Sequence, residues 1–132
     1  MAATHSILAE HCEQANGTHK ERMLALKDAI ELVSGKWKFC ILLNLYNFGT
    51  MRFKDLQETS VGITPKVLSK ELQELEENQL ITRTVNATKP VTVSYELTPH
   101  AIEIEPVITA LVDFGLKHRA KIKHSWSAEV SQ

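Results

Sequence analysis

The sequence predicts a mainly α-helical domain with one small β-hairpin, and three observations carry that expectation. Apolar residues recur at three- and four-residue spacing in successive segments, which is the period of a helix face. Two Thr-Pro pairs, Thr64-Pro65 and Thr98-Pro99, each stand before such a segment, where a hydroxyl caps an orphan amide and proline fits the first turn. One run, Val91 to Leu97, alternates strictly between apolar and polar residues, the period of a half-buried strand.

In chain order, residues 1–18 show no sustained period, contain the turn signal Asn16-Gly17, and are read as a flexible arm. From His19, Met23, Leu26, Ala29, Ile30 and Val33 line one helix face, which Ser34-Gly35 ends; this is the expected first core helix. Lys36 to Leu45 is apolar nearly all round, so it predicts a buried helix with Trp37 in the core and Cys40 packing as a small hydrophobe. After Asn47 and Gly49, Met51-Arg52-Phe53 is expected to extend briefly before a short helix of Lys54 to Thr59 that buries Leu56 and Phe53.

The segment Gly62-Ile63-Thr64-Pro65 then opens a capped helix running to about Asn78, with Val67, Leu68, Leu72 and Leu75 turned inward. Leu80 to Val85 and Val91 to Leu97, joined across Asn86 to Pro90, predict a hairpin with Val91, Val93, Tyr95 and Leu97 on one side. Thr98-Pro99 opens the last helix, which Pro106 should kink or divide. Helix, helix, short helix, turn, capped helix, hairpin, helix is the order of a winged helix-turn-helix, here with flanking dimerisation helices. The expected organisation is an arm over 1–18, the DNA-binding domain over 19–123 and a tail over 124–132.

Composition narrows the function classes. A chain of 132 residues with 43% apolar and 23% charged residues suits one folded domain. The longest apolar run, Phe39 to Leu43, is far short of the roughly 20 residues of a membrane span, and the first residues lack the pattern of a secretory signal, so a cytoplasmic location is expected. Cys12 and Cys40 alone do not make a disulfide framework. With a net charge of -1, a nucleic-acid partner has to be argued from where charges lie.

The capped helix offers such a placement. Lys66, Ser69, Lys70 and Gln73 lie at i, i+3, i+4 and i+7, opposite Leu68, Leu72 and Leu75, so two cations can meet phosphates while Ser69 and Gln73 reach base edges. Lys89 at the hairpin tip and Arg83 suit a wing that touches the backbone. Against this, Thr50 to Thr92 holds six basic residues, Arg52, Lys54, Lys66, Lys70, Arg83 and Lys89, and six acids, Asp55, Glu58, Glu71, Glu74, Glu76 and Glu77. That balance keeps open a winged-helix module used only for protein contacts.

A catalytic set is missing from the pattern: there is no glycine-rich phosphate loop, nucleophile elbow or paired carboxylates, so no enzyme activity and no cofactor are expected. His5, His11, Cys12 and His19 lack a second ligand pair at a recognised spacing, and no metal is expected there. Val107, Ile108, Leu111, Val112, Phe114 and Leu116 crowd the last helix on more than one side, and Met23 and Leu24 can meet it from the first; a second copy of the chain would cover them.

Ser34-Gly35-Lys36-Trp37, Arg52-Phe53-Lys54-Asp55-Leu56, Gly62 to Ser69, Leu72 to Glu76 and Val93 to Thr98 together resemble the HxlR-type bacterial winged-helix regulators, relatives in fold of the MarR type. The resemblance implies a homodimer joined by terminal helices on double-stranded DNA with an inverted-repeat operator. It puts Thr64, Pro65, Lys66, Ser69, Lys70 and Gln73 on the recognition helix, Arg83, Asn86 and Lys89 on the wing, and makes Lys36 and Arg52 candidates near DNA. An unidentified small-molecule effector is a further candidate partner. Many such regulators carry a cysteine near their N-terminus; counted back from Gly35-Lys36-Trp37 that place is about Leu24 here, and Cys12 lies some twelve residues too early, so thiol sensing by that route is not expected.

Overall fold

The structure, a computed structural model, describes residues 17–130, with side chains through residue 126. His5, His11 and Cys12 lie outside the described residues. The chain divides into two compact units, one ending at Gly35 and one beginning at Lys36.

In the first unit, α1 (His19–Val33) begins with a reciprocal cap: Thr18 Oγ1 accepts from Glu21 N–H, and the Glu21 carboxylate accepts from Thr18 N–H. Its apolar residues do not behave as those of the expected first core helix. Met23, Leu24, Leu26 and Ile30 are all more than half exposed, and only Val33 is buried.

The second unit holds α2 (Lys38–Phe48), β1 (Met51–Arg52), α3 (Phe53–Thr59), α4 (Pro65–Glu77), β2 (Ile81–Asn86), β3 (Thr92–Leu97), α5 (Pro99–Ile102) and α6 (Glu105–Val130). The strands form one antiparallel sheet in the order β1-β3-β2. Met51 pairs with Tyr95 and Ile81 with Leu97, so the hairpin is anchored at its base by β1 and projects beyond it. α2 packs on β3, α3 and α6, while α4 packs on β2. Ile41, Leu42, Leu45, Leu56, Leu68 and Leu75 are fully buried and form the centre of this core.

Several expectations are corrected by tertiary packing. Cys40 is exposed, because α2 has one outward face despite its apolar composition, and Trp37 is half-buried. Phe53 starts α3 instead of extending β1, since the Asp55 carboxylate accepts from Arg52 N–H at 3.1 Å and so caps the helix one residue earlier. In β3 both Ser94 and Tyr95 are buried: β3 is the central strand and is covered on both faces at that point, which overrides simple alternation. Around Pro106 the chain divides, with α5 ending at Ile102 and Pro106 in the first turn of α6, where its missing N–H costs nothing. α6 continues past residue 123 to Val130, where the sequence reading placed a tail.

Candidate nucleic-acid interface

α3, the turn 60–64 and α4 form the helix-turn-helix. Ser60 N–H donates to Leu56 O and Ile63 N–H to Ser60 O, so the chain reverses within four residues, and Gly62 at φ 93° supplies the left-handed step. Thr64 then caps α4 as expected: its Oγ1 accepts from Val67 N–H at 3.3 Å, and Pro65 occupies the first turn.

The apolar stripe Leu68, Leu72, Leu75 is at most 2% exposed, so the opposite stripe must face outward. Thr64, Pro65, Lys66, Ser69, Lys70 and Gln73 are all exposed; Lys66, Ser69, Lys70 and Gln73 share the outward face of α4, and Thr64 and Pro65 stand at its N-terminus. Gln73 Nε2 donates to Glu77 Oε1 at 3.2 Å and has to leave that contact to read a base. The charge order of α4 opposes its own dipole, with lysines near the N-terminus and Glu76 and Glu77 near the C-terminus, each such placement costing about 0.3–1 kcal/mol. A local rule broken in this way is expected where function demands a positive helix end.

On the wing, Arg83 and Lys89 are exposed, whereas Asn86 is half-buried. Asn86 Nδ2 donates to Thr92 Oγ1 and Ser94 Oγ, both at 3.2 Å, so this side chain ties the hairpin together. Arg52 is exposed at the start of α3. Lys36 lies over the Trp37 ring, 4.9 Å from its centroid.

The residue the sequence reading missed is Lys38. Its side chain is only 7% exposed, and its Nζ donates to Glu71 Oε2 at 2.6 Å and to Glu74 Oε2 at 2.5 Å. Burial disfavours the charge on Lys38, but the two carboxylates outweigh it and hold its pKa above the ordinary lysine value. The hydrogen bond from Lys38 in turn holds the Glu74 carboxyl below its usual range. The signal was present as a lysine in an apolar segment and two glutamates at i, i+3 beside the leucine stripe of α4. Its consequence is electrostatic: the single charge of Lys38 offsets one of the two on Glu71 and Glu74, which leaves a net five negative charges against the six cations between Thr50 and Thr92.

On α6, Val107, Leu111, Val112, Phe114 and Leu116 are 46–67% exposed, while Ile108 is 5% exposed and belongs to the core of its own chain. Among the described residues no helix is long and apolar enough to cross a membrane, and no group of three or more His, Cys, Asp or Glu side chains is placed to hold a metal ion.

Comparison with known proteins gives a consistent picture. A model of the HxlR-like helix-turn-helix family matches residues 32–123. The HTH-type transcriptional regulator BH0655 of Halalkalibacterium halodurans is 36% identical over 90 residues, covering 68% of this chain and 80% of its own. The HTH-type transcriptional regulator YtcD of Bacillus subtilis is 31% identical over 99 residues, covering 75% and 78%. Among solved structures, the redox regulator HypR in its reduced form aligns with a TM-score of 0.71 at 25% identity, covering 76% of this chain and 98% of that one.

Proposed function

This chain belongs to the HxlR-like helix-turn-helix family, and from that premise we propose that it is a DNA-binding transcriptional regulator that engages an inverted-repeat operator as a homodimer. The observation that carries the reading is the outward stripe of α4, where a capped N-terminus, Lys66, Ser69, Lys70 and Gln73 share one exposed face beside a projecting wing. Phosphates are met by Lys66 and Lys70 on α4 and by Arg83 and Lys89 on the wing, with Arg52 and Lys36 at the margin. Thr64 and Pro65 set the helix entry, and Ser69 and Gln73 face the bases. The near-neutral charge that favoured a protein-contact module shifts by one unit toward the cations once Lys38 is counted with Glu71 and Glu74.

The dimer is supported by Val107, Leu111, Val112, Phe114 and Leu116 on α6 and by Met23 and Leu24 on α1, apolar residues that one chain leaves in water. Two α4 helices related by a two-fold axis reach successive major grooves when half-site centres are about 34 Å, or roughly 10 base pairs, apart. Genomic fragments selected for binding should therefore contain inverted repeats. Inserting about five base pairs between the halves should lower affinity sharply, and about ten should partly restore it. Binding indifferent to the spacer would overturn the dimeric operator reading.

A further inference from the structure

Glu74 stands between two lysines. Its Oε2 accepts from buried Lys38 at 2.5 Å, while its Oε1 lies 4.0 Å from Nζ of Lys70, a side chain that is 71% exposed on the outward face of α4. Lys70 and Glu74 are an i, i+4 pair, the spacing at which a lysine and a glutamate on one helix attract each other. Lys38 reaches Glu74 from another helix, at the start of α2, and at much shorter range.

We propose that Lys38 is a positioning residue for DNA binding, which holds Glu74, and with it Glu71, against the body of the domain and so keeps Lys70 available to a DNA phosphate. The proposal deepens the DNA-binding reading and rests on it. A 2.5 Å charge-assisted bond from a lysine only 7% exposed outcompetes a 4.0 Å contact with a lysine 71% exposed, because the first is much shorter and its cation is held away from water, whereas the second cation is solvated and screened by salt. Without Lys38, two carboxylates on α4 lose their partner, and the nearest cation for Glu74 on its own helix is Lys70. The side chain expected to meet phosphate would then be neutralised in place. Lys38 also ties α2 to α4 across a separation of 33 residues in sequence, so the same bond sets the angle of the helix it unmasks.

The salt dependence of binding separates unmasking from simple bracing, because each phosphate contact adds about 0.9 to the slope of log affinity against log salt. With the full chain and a labelled mixed-sequence DNA duplex as the probe, Lys70→Ala should reduce the slope by about 1, and Lys38→Met should reduce it by a similar amount. Lys38→Met/Glu74→Gln should return the slope to the wild-type value, since the competing carboxylate is gone although the bridge to α2 remains broken. If Lys38 served only as a brace, the double variant would stay as weak as Lys38→Met, and that result overturns the proposal. Glu74→Gln alone retains the Lys38–Glu71 pair and provides the test should Lys38→Met not fold. It should change the slope by much less than one, whereas a steepening of about 1 would mean that Lys38 does not hold Glu74 away from Lys70. Absence of salt-dependent binding by the wild-type chain would remove the DNA reading and this inference together; wild-type binding with an unaltered slope in Lys38→Met would remove only this inference.

Discussion

α4 and α6 both carry regularly spaced apolar residues, yet they end in different environments. On α4, Leu68, Leu72 and Leu75 are each 2% exposed or less, and what remains outside is polar and charged. On α6, Ile108 is buried, but Leu111 is 48% exposed, Phe114 67% and Leu116 62%. The ring of Phe114 stacks on His118 with centroids 6.1 Å apart, a contact within one helix that leaves most of its surface in water. The helix-turn-helix therefore satisfies its hydrophobic requirement inside one chain, and the C-terminal helix does not. A recognition surface has to remain polar to meet DNA in water, whereas an assembly surface gains its free energy from apolar area covered on association. On the proposed function the two helices serve different partners, and they differ in which residues each leaves exposed.

The contrast can be broken most severely at its buried end. Leu68→Ala should cost about 2–5 kcal/mol of folding stability, read from the urea midpoint, because a fully buried leucine leaves a cavity that the surrounding helices and sheet cannot close. A loss below about 1 kcal/mol would mean that α4 is held by something other than its leucine stripe.

Leu111→Glu addresses the other helix and should leave the circular dichroism of the chain unchanged. Its effect should appear in assembly, with the dimer dissociation constant raised about 100-fold, equivalent to about 3 kcal/mol, because the carboxylate would have to lose water in the interface. Light scattering showing an unchanged dimer would place the interface elsewhere. The smallest expected change lies at the end of α4, where Gln79 holds φ at 61° immediately after the Asn78 cap. Gln79→Gly should raise stability by about 0.5–1 kcal/mol, since glycine enters the left-handed region without the Cβ clash that glutamine bears. If thermal melting shows a loss instead, the glutamine side chain contributes more than its backbone strain removes.

By itself the sequence determined the features that depend on neighbours within about four residues. The Thr64 and Thr98 caps, the glycine turn before α4, the inward leucines and outward polar stripe of that helix, the hairpin and the division near Pro106 are all local, and each was legible as a pattern. Even the turn after α4 was legible in place, although Gln79 and not Asn78 takes the left-handed conformation.

The tertiary structure alone decided which of several equivalent residues found partners. Lys38 belongs to a segment that reads as uniformly apolar, and only the approach of α4, 33 and 36 residues later, turns it into the buried counter-ion of Glu71 and Glu74. Ile108 and Leu111 are indistinguishable as apolar residues of one helix, yet packing of α6 on α2 covers the first and leaves half of the second in water. Ser94 is buried because β3 became the central strand, and Cys40 is exposed although its segment reads as apolar nearly all round. Periodicity records which face a residue shares with its neighbours along the chain, but burial and ion pairing depend on what arrives from elsewhere, and no local spacing encodes that arrival.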